Sequence, residues 1–507
     1  MSPKTGRRII IAFTIAILFG FVTLDRLAPA GRRLAKIRGE DPVNYFGIAH
    51  SLLFDHDFDL NNQYRHLPQD GRFWTANQPA TGLPGSPWGL GYSLLEIPLL
   101  GMGTGIDALA GNPTDGYSHW AMFFYCTGSP LLAGCGLAAL FAALREVAEY
   151  WNRMPEAHQS AYSLFVVFLV FFGTNVGYYA FSEMAHSATF LFAGLFLMAW
   201  WRVRDSQSWR AWLYLGLIGG FLSICRWQDL LYLGGPLLFD VFGWNLSKMG
   251  PAWWRSRLVY AAGVAVCWIP QVMEWKAIYG KYLTIPQGSG IFSFPPAHMW
   301  QVLLSSQSGW FTWTPVTILG VIGLVVGACK ATRIYLPWII VLALQIAVVG
   351  SISFWHGVES FGARYLLSNT PLIGLGIITL YGASAVWIRR SLTVIGLVCC
   401  VFTVLFAIQF RLDLVPKGTQ LTFSELVTDK LRLAQVRQRK AAAAQAKELL
   451  SKGDPDSAIR ILEAALSLGE DRDVDGILER AYQAAGNRRQ ADAIKLRRDK
   501  FVDLRLY

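Results

Sequence analysis

Long apolar runs constrain the fold of this 507-residue chain more than any other feature of its sequence. A helix needs about 20 apolar residues to cross a hydrocarbon layer about 30 Å thick, and many runs approach or exceed that length. Only 16% of the residues are charged whereas 53% are hydrophobic, which is too little charge for a soluble domain of this size. The sequence therefore predicts an all-α fold, that of a polytopic helical membrane protein.

The apolar runs also define the predicted membrane spans. They cover residues 8–27, 118–143, 161–180, 186–201, 211–225, 229–243, 257–272, 310–328, 335–353, 366–387 and 392–410. A weaker segment, 87–103, contains Glu96 and several glycines, and it is interpreted as either a short span or a helix in the membrane interface. Some of the eleven runs are short for a full crossing, and the segment 87–103 is ambiguous. We therefore predict about 11 to 13 spans.

The net charge of +11 is best explained by basic connections between the spans, not by a nucleic acid partner. Short basic connections occur at 145–153, 202–210, 248–257, 330–333 and 389–390. With the eleven stronger spans they all fall on the same side as the basic N-terminus, and the positive-inside rule places that side in the cytoplasm. We therefore expect a multi-pass protein of the inner (plasma) membrane, with its C-terminal tail in the periplasm or outside the cell.

The connections on the opposite side form a polar face rich in Trp, Tyr, His, Arg and carboxylates. They cover 28–117, 177–187, 225–229, 274–310 and 354–366. Ionisable groups beside a bilayer are costly unless they are solvated, paired or functional, so the pattern predicts a site at the membrane boundary. The seven cysteines lie in or beside apolar runs without metal-ligand spacing, and we expect no metal and no cofactor.

Acidic residues follow the first span directly. Glu40 and Asp41 precede a predicted helix from Pro42 to Leu53, and capping of that helix is the alternative explanation for Asp41. Capping explains one acid but not the cluster after the helix, which comprises Asp55, Asp57 and Asp59. Their spacing is similar to that of calcium loops, but the glycine and the closing glutamate are missing, so a solvated turn is favoured over a divalent-cation site.

This loop and three later segments together resemble the GT-C superfamily of integral-membrane glycosyltransferases, which use lipid-phosphate-linked sugars. The strongest match is "GEDPVNYFGIAHSLLFDHDFDLNNQY" at 39–64. The segments similar to those of bacterial members are "YYAFSEMAHSATFLFAGLF" (178–196), "SSQSGWFTWTPV" (305–316) and "WHGVESFGARYLLSNTP" (355–371). These relatives include protein O-mannosyltransferases and aminoarabinose transferases acting on lipid A, and the resemblance covers about residues 8–410.

The resemblance implies transfer of a sugar from a polyprenyl-phosphate donor to an acceptor hydroxyl, with inversion at the anomeric carbon. Asp41 is then the base that removes the hydroxyl proton. Glu40 is the alternative, because the Asp-Glu order of the protein O-mannosyltransferases is reversed here. The leaving phosphate needs cations, for which Arg364 and Arg226 are the first candidates. Lys276 follows them, with anchoring at the membrane interface as its alternative explanation.

Further substrate-binding candidates lie in the same segments. Glu183 and His186 are three residues apart and share a face if their segment is helical, although a lone histidine in a span is usually a core residue. Trp355, His356 and Tyr365 are candidates to contact the sugar, with interface anchoring as the alternative for the tryptophan. The expected partners are the donor, membrane lipid and an acceptor that is a lipid, a glycan or a protein.

Two other functions stay open. A transporter or flippase of lipid-linked saccharide would place its binding residues near the midplane on broken helices and often shows inverted repeats, whereas the charges here crowd at the span mouths. A membrane anchor for the C-terminal tail would not need polar loops. The GT-C-like domain, residues 1–410, is therefore interpreted as a glycosyltransferase first and as a transporter second.

The C-terminal part differs in composition from the membrane domain. Residues 411–430 are a predicted linker, and 431–507 are charged, Ala-rich and predicted to be helical. Two similar stretches begin at Gly453 and Gly486, 33 residues apart, and each has an alanine five residues later. This pattern resembles tetratricopeptide repeats, whose period is about 34 residues, and an ordinary helical bundle is the alternative.

Overall fold

The computed structural model describes residues 1–27, 35–37, 39–67, 75–151, 156–243, 250–468 and 472–502. Parts of the predicted outer loop 28–117, of two basic connections and of the tail therefore lie outside the described residues. The described chain is all-helical, with 76% helix and no strands. Isolated bridges join Asn77 to Pro84 and Phe292 to Ile352. The predicted all-α class is thus confirmed.

Twenty-two α-helices follow one another in the described part of the chain. They are α1 (Pro3–Leu27), α2 (Glu40–His50), α3 (Asn61–His66), α4 (Gly91–Leu109), α5 (His119–Tyr150), α6 (Glu156–Gly173), α7 (Val176–Tyr179), α8 (His186–Val203), α9 (Trp209–Cys225), α10 (Gly234–Phe242), α11 (Pro251–Tyr279), α12 (Met299–Leu304), α13 (Trp310–Trp313), α14 (Val316–Lys330), α15 (Thr332–Ser351), α16 (Thr370–Ala383), α17 (Val386–Arg411), α18 (Phe423–Leu426), α19 (Leu433–Ser451), α20 (Pro455–Leu466), α21 (Arg472–Ala484) and α22 (Arg488–Val502). A π-helix, Ser51–Asp55, continues α2, and 3₁₀ helices precede α10 and α16 at Trp227–Leu233 and Arg364–Asn369.

Six helical segments in the described residues are long and apolar enough to cross a membrane. They are α1, α5, α11, α15, α17 and the segment Arg364–Ala383, which joins a 3₁₀ helix to α16. Shorter apolar helices occupy His158–Gly173, Trp209–Cys225 and Val316–Lys330. These helices are consistent with the predicted helical membrane protein, while the number of crossings stays a prediction.

Several predicted apolar segments are interrupted in the structure: 161–180 between α6 and α7, 310–328 between α13 and α14, and 229–243. The predicted span 229–243 is divided between the 3₁₀ helix Trp227–Leu233 and the nine-residue α10, which begins at a Gly-Gly-Pro sequence. Proline there is accepted because the first turn of a helix needs no amide donor, and the two glycines weaken any helix that would continue across them. The weaker segment 87–103 lies largely in α4, a 19-residue helix that contains Pro98 and is not among the six.

The first of two compact units comprises residues 1–299, 315–355 and 364–400. Within it, α5 packs against α4 and α8, α9 packs against α11, and α14 packs against α16. Helices α14 and α16 meet at two glycines, where a Cβ on Gly323 would stand 1.8 Å from the Gly376 carbonyl oxygen. Such contacts are typical of membrane helices, because small residues let two backbones approach closely.

The second unit comprises residues 300–314, 356–363 and 401–507. In it α19 packs against α20, and α21 packs against α22. Gly453 and Gly486 follow α19 and α21 with φ of +78° and +77°, the conformation with which glycine ends a helix. Ala458 and Ala491 are buried, at 0% and 3% exposed. The predicted spacing thus corresponds to two helix pairs, and the tetratricopeptide assignment stays a prediction.

Candidate active site

Asp41 and Arg364, 323 residues apart in the sequence, form an ion pair in the first unit. Helix α2 begins at Glu40, directly after Gly39, whose φ of +83° leads the chain into the helix. Asp41 therefore lies in the first turn and is not the capping residue. Its Oδ2 accepts a hydrogen bond of 2.8 Å from Arg364 Nη1, and only 17% of the Asp41 side chain and 11% of the Arg364 side chain are exposed.

Arg226 completes a cationic cluster beside this ion pair. It follows α9 in an extended conformation, and its Nη1 lies 3.3 Å from both His186 Nδ1 and the Arg364 carbonyl oxygen. The guanidinium carbons of Arg226 and Arg364 lie 5.0 and 5.3 Å from the centre of the Tyr365 ring, within cation–π range. The structure thus brings together five of the residues that were predicted from sequence: Asp41, His186, Arg226, Arg364 and Tyr365.

Asp229 connects the two segments that carry the arginines, and sequence reasoning missed it. Its side chain is fully buried, and its Oδ1 accepts hydrogen bonds of 2.7 Å from Ser368 Oγ and 3.0 Å from Gln345 Nε2. Ser368 belongs to the 3₁₀ helix that starts at Arg364, while the Asp229 amide donates to the Arg226 carbonyl oxygen at 2.9 Å. The available signal was an aspartate at the edge of an apolar run, because such a residue needs a partner.

A cavity of about 660 Å³ adjoins the cluster, with Arg226 and Tyr365 in its wall. Tyr45 is also in the wall, and its hydroxyl is close enough to Asp41 and Arg364 for their charges to act on it. The rest of the wall is mainly aromatic and aliphatic: Trp88, Trp227, Trp268, Trp275, Phe292, Phe354, Leu230, Leu231, Ile285, Ile291, Val348 and Ile352. Such a lining suits an apolar chain or a stacked sugar ring, with a charged group near the arginines.

Several hydrogen-bond donors around the cavity lack acceptors among the described residues. The indole N–H groups of Trp88, Trp227 and Trp275 are buried without a hydrogen bond, and the same holds for Nε of Arg364. A buried donor without an acceptor costs about 1–3 kcal/mol. A ligand that carries hydroxyl and phosphate oxygens would satisfy these groups.

Glu40 differs from its neighbour Asp41 in its electrostatic environment. Burial and the Asp41 charge raise the pKa of the Glu40 carboxyl. Its Oε1 is buried and makes no hydrogen bond to the part of the chain that the structure describes. Glu40 therefore holds a proton more readily than an ordinary glutamate, which makes it less suited than Asp41 to act as the ionised base.

Glu183 and Trp355 lie in the first unit but outside the arginine cluster. Glu183 occupies the non-helical segment before α8, which begins at His186, so the two side chains do not share a helical face as predicted. The Glu183 carboxylate is buried beside Cys126. The Trp355 ring stacks on His298 with 6.1 Å between centroids.

Lys276, in the first unit, likewise makes its contacts outside the arginine cluster. Lys276 is exposed, donates to the Gly280 carbonyl oxygen at 3.0 Å and lies over the Tyr282 ring, as an interface anchor would. His356 belongs to the second unit, where its Nδ1 accepts from the Val358 amide at 3.1 Å.

The acids after α2 organise the turn that follows it. Asp57 Oδ1 accepts from Ser51 Oγ and from the Asp59 amide, and Asp59 Oδ1 accepts from the amide and side chain of Asn61. Asp55 Oδ2 accepts from the side chains of Asn62 and Gln63. No group of three or more His, Cys, Asp or Glu side chains suited to a metal ion occurs among the described residues.

His50, at the end of α2, is expected to make the fold sensitive to acid. Its Nε2 lies 2.7 Å from the Asp115 carbonyl oxygen, its Nδ1 lies 3.1 Å from Gln63 Nε2, and burial lowers its pKa below 6.5. The unfolded chain then binds the proton more tightly than the folded chain does. The contribution of neutral His50 to the free energy of unfolding is therefore fully present above pH 6.5, and it is lost as the pH falls toward the folded-state pKa. The melting temperature, measured from about pH 7.5 to about pH 5, should therefore fall as the pH is lowered.

The matched control for this prediction is the exposed His119. His119→Gln should lose stability in acid as the wild type does, whereas His50→Gln should lose less. An identical pH dependence of the wild type and His50→Gln would contradict the assignment to His50.

No protein-family model matches the chain, and no curated protein matches it. The resemblance to the GT-C superfamily therefore stays a prediction. What the site can do chemically follows from its own groups: a carboxylate, two guanidinium groups and an aromatic cavity in one unit. This combination can hold a phosphate while it removes a proton from a hydroxyl.

Proposed function

We propose that the protein is a glycosyltransferase that moves a sugar from a polyprenyl-phosphate donor to an acceptor hydroxyl at the non-cytoplasmic membrane face. The observation that carries this proposal is the juxtaposition of Asp41, Arg364 and Arg226 beside an aromatic cavity. The transfer needs a base for the acceptor, cations for the leaving phosphate and an apolar chamber for the carrier. The motifs that resemble the GT-C superfamily favour this reaction over other uses of such a site.

The two chemical halves of the donor correspond to the two parts of the site. The carrier chain lies against apolar wall residues such as Trp268 and Leu231. The phosphate binds Arg226, which is in the cavity wall, and the neighbouring Arg364, whose carbonyl oxygen Arg226 contacts. Arg364 uses Nη1 for Asp41 but keeps a buried Nε without an acceptor among the described residues. A guanidinium presents several donors in one plane, which suits the oxygens of a phosphate.

In the reaction, the acceptor oxygen bonds to the anomeric carbon as the bond from that carbon to the phosphate oxygen breaks. The hydroxyl proton goes to the Asp41 carboxylate. The electron pair of the broken bond stays on the polyprenyl phosphate, whose added negative charge is met by Arg226 and Arg364. Because Arg364 binds Asp41 directly, a donor phosphate that attracts Arg364 also frees the carboxylate for the acceptor.

The test uses the full-length protein in liposomes, with polyprenyl-phosphate donors that carry radiolabelled sugars and a lipid or glycan extract as acceptor. We expect labelled product and an equal amount of polyprenyl phosphate, both formed about 10²- to 10⁴-fold more slowly with Asp41→Asn. Movement of intact donor across the bilayer without cleavage would instead identify a flippase of lipid-linked saccharide. Absence of both activities with every donor would contradict both functions.

The orientation in the membrane is part of the proposal. The N-terminus lies in the cytoplasm, and the tail, residues 431–507, lies on the outer side, where it docks an acceptor or a partner protein. A reporter enzyme that is active only outside the cytoplasm, fused after Tyr507, is expected to be active. The matched fusion before Met1 is expected to be inactive, and the reverse result would contradict this orientation.

Asp229 is expected to position the arginines for the donor. Asp229→Ala removes the acceptor of the Ser368 and Gln345 hydrogen bonds, and a bond to a charged group contributes about 1.5–3 kcal/mol. We expect donor KM to rise about 10- to 100-fold while kcat changes less, because the base is untouched. Ser368→Ala should give a smaller rise in KM.

The control for this substitution is Asp240→Ala, which removes another acid that is paired with an arginine, Arg257. It should change the melting temperature without a selective rise in donor KM. If Asp229→Ala instead lowered kcat and left donor KM unchanged, the positioning role would be contradicted.

A further inference from the structure

Two arginines near the starts of α9 and α11 contact the same tryptophan ring. The guanidinium carbon of Arg210 in α9 lies 5.5 Å from the centre of the Trp209 ring, and that of Arg255 in α11 lies 5.1 Å from the same ring. Both distances are within cation–π range. Both arginine side chains are exposed, so their guanidinium groups are also open to a partner outside the protein.

Helices α9 and α11 lie side by side and run in the same direction. Gly216 of α9 packs on Tyr260 of α11, and one turn further along both helices Gly220 packs on Val264. The backbones touch, because a Cβ on Gly216 would stand 2.2 Å from the Tyr260 carbonyl oxygen. The starts of the two helices, and with them the two arginines, are therefore held together by close packing.

Arg210 and Arg255 differ from neighbouring arginines in having no acidic partner among the described residues. Three arginines in the same basic connections form ion pairs: Arg202 with Glu146, Arg204 with Asp205, and Arg257 with Asp240. Neither α9 nor α11 has an acid in its first turn, and the sequence 244–249 before α11 contains Lys248 but no acid. The starts of these helices therefore carry positive charge that an external anion can balance.

Exposed apolar side chains continue from the arginines along the two helices. One turn after Arg210, Tyr214 of α9 is 65% exposed. Along α11, which is one of the six long apolar helices, large exposed side chains recur at helical spacing: Trp254, Leu258, Val266, Ile269 and Met273. A positive end followed by an apolar face matches the two halves of a phospholipid, a charged headgroup and acyl chains.

We propose that Arg210, Arg255 and Trp209 form a binding site for the headgroup of an anionic phospholipid. The planar guanidinium groups suit phosphate oxygens, and the tryptophan ring holds both of them in place. A zwitterionic headgroup would bring its own cation to a site that is already positive. The basic connections are predicted to face the cytoplasm, where the leaflet is rich in anionic lipid, and the inference does not depend on the proposed glycosyl transfer.

The test measures lipid binding to the purified full-length protein in maltoside detergent by native mass spectrometry. The probes are phosphatidylglycerol and phosphatidylcholine with identical acyl chains. We expect one phosphatidylglycerol to bind about tenfold or more tightly than phosphatidylcholine. A basic residue near an anionic lipid surface contributes about 1 kcal/mol, so Arg210→Gln and Arg255→Gln should each raise the Kd about fivefold, and the double variant about 30-fold.

The matched control is Arg390→Gln, which removes the same charge from another exposed arginine, in α17. It should keep the wild-type Kd. Because all three arginines are exposed, the variants should keep the wild-type melting temperature in phosphatidylcholine. Equal affinity of the wild type for the two lipids, or an equal loss in Arg390→Gln, would overturn the proposal.

Two further measurements separate a built site from general attraction of a basic surface. Trp209→Leu keeps every charge but removes the ring that holds both guanidinium groups, so it should also weaken phosphatidylglycerol binding. Inorganic phosphate at the same concentration as the lipid should not displace it, because phosphate lacks the acyl chains. An unchanged Kd for Trp209→Leu, or displacement by phosphate, would overturn the proposal.

Discussion

Replacing Asp41 with asparagine is expected to lower kcat for sugar transfer by about 10²- to 10⁴-fold, the contribution typical of a general base. Asparagine keeps the size of the side chain and an oxygen that can accept the Arg364 hydrogen bond. The expression level and melting temperature should therefore stay near those of the wild type. What is lost is the ability to take a proton from the acceptor, and the release of polyprenyl phosphate at saturating donor measures that loss.

Two variants of the same loop make this experiment specific. Asp57→Asn changes an acid that accepts hydrogen bonds from Ser51 and the Asp59 amide, so it should affect stability and leave kcat unchanged. Glu40→Gln should retain most activity, since the raised pKa of Glu40 makes it a poor ionised base. Full activity of Asp41→Asn with an inactive Glu40→Gln would transfer the role to Glu40, and activity of the double variant would exclude both.

The features that sequence predicts well here are those fixed by local pattern. Apolar run length predicted the helical membrane class, because a span is set by hydrocarbon thickness and residue rise. Gly453 and Gly486 end helices as their spacing predicted, because glycine adopts the positive φ that a helix terminus requires. The acids after α2 form a hydrogen-bonded turn, as their proximity to asparagine and serine allows.

The features that sequence could not predict depend on distant contacts. The Asp41–Arg364 pair joins residues 323 apart, and nothing local in either segment specifies the partner. Asp229 lies at the edge of a predicted span, so its bond to Ser368 is visible only after the chain has folded. The prediction that Glu183 and His186 share a face assumed a continuous helix, whereas α8 begins only at His186.

Arg364 contacts the base Asp41 and, in the proposed reaction, the donor phosphate as well. Its replacement is therefore expected to have the second largest effect. Arg364→Ala removes the partner of the partly buried Asp41 carboxylate and a cation that faces the leaving phosphate. Arg364→Lys keeps the charge but not the planar fork, so it should restore only part of the activity. We expect both variants to raise donor KM and lower kcat. For Arg364→Ala, kcat/KM should fall at least about 100-fold.

The contribution of the fork can be separated from that of the charge. Arg257→Lys is the matched control, because Arg257 forms a two-bond pair with Asp240 at 2.9 and 2.8 Å outside the arginine cluster. It should lower the melting temperature without changing donor KM, whereas Arg364→Lys should change KM selectively. Wild-type kinetics for Arg364→Lys would mean that the charge alone suffices and that phosphate is not bound through the fork.

A double variant tests whether Arg364 and Asp41 act through their common contact. If the guanidinium must leave Asp41 for the donor phosphate before the carboxylate can accept a proton, then the two residues serve one step. The losses of Asp41→Asn and Arg364→Lys should then be strongly non-additive, because residues in direct contact couple energetically. Additive losses in kcat/KM would show that the two side chains act independently, and the transfer of Arg364 from carboxylate to phosphate would have to be abandoned.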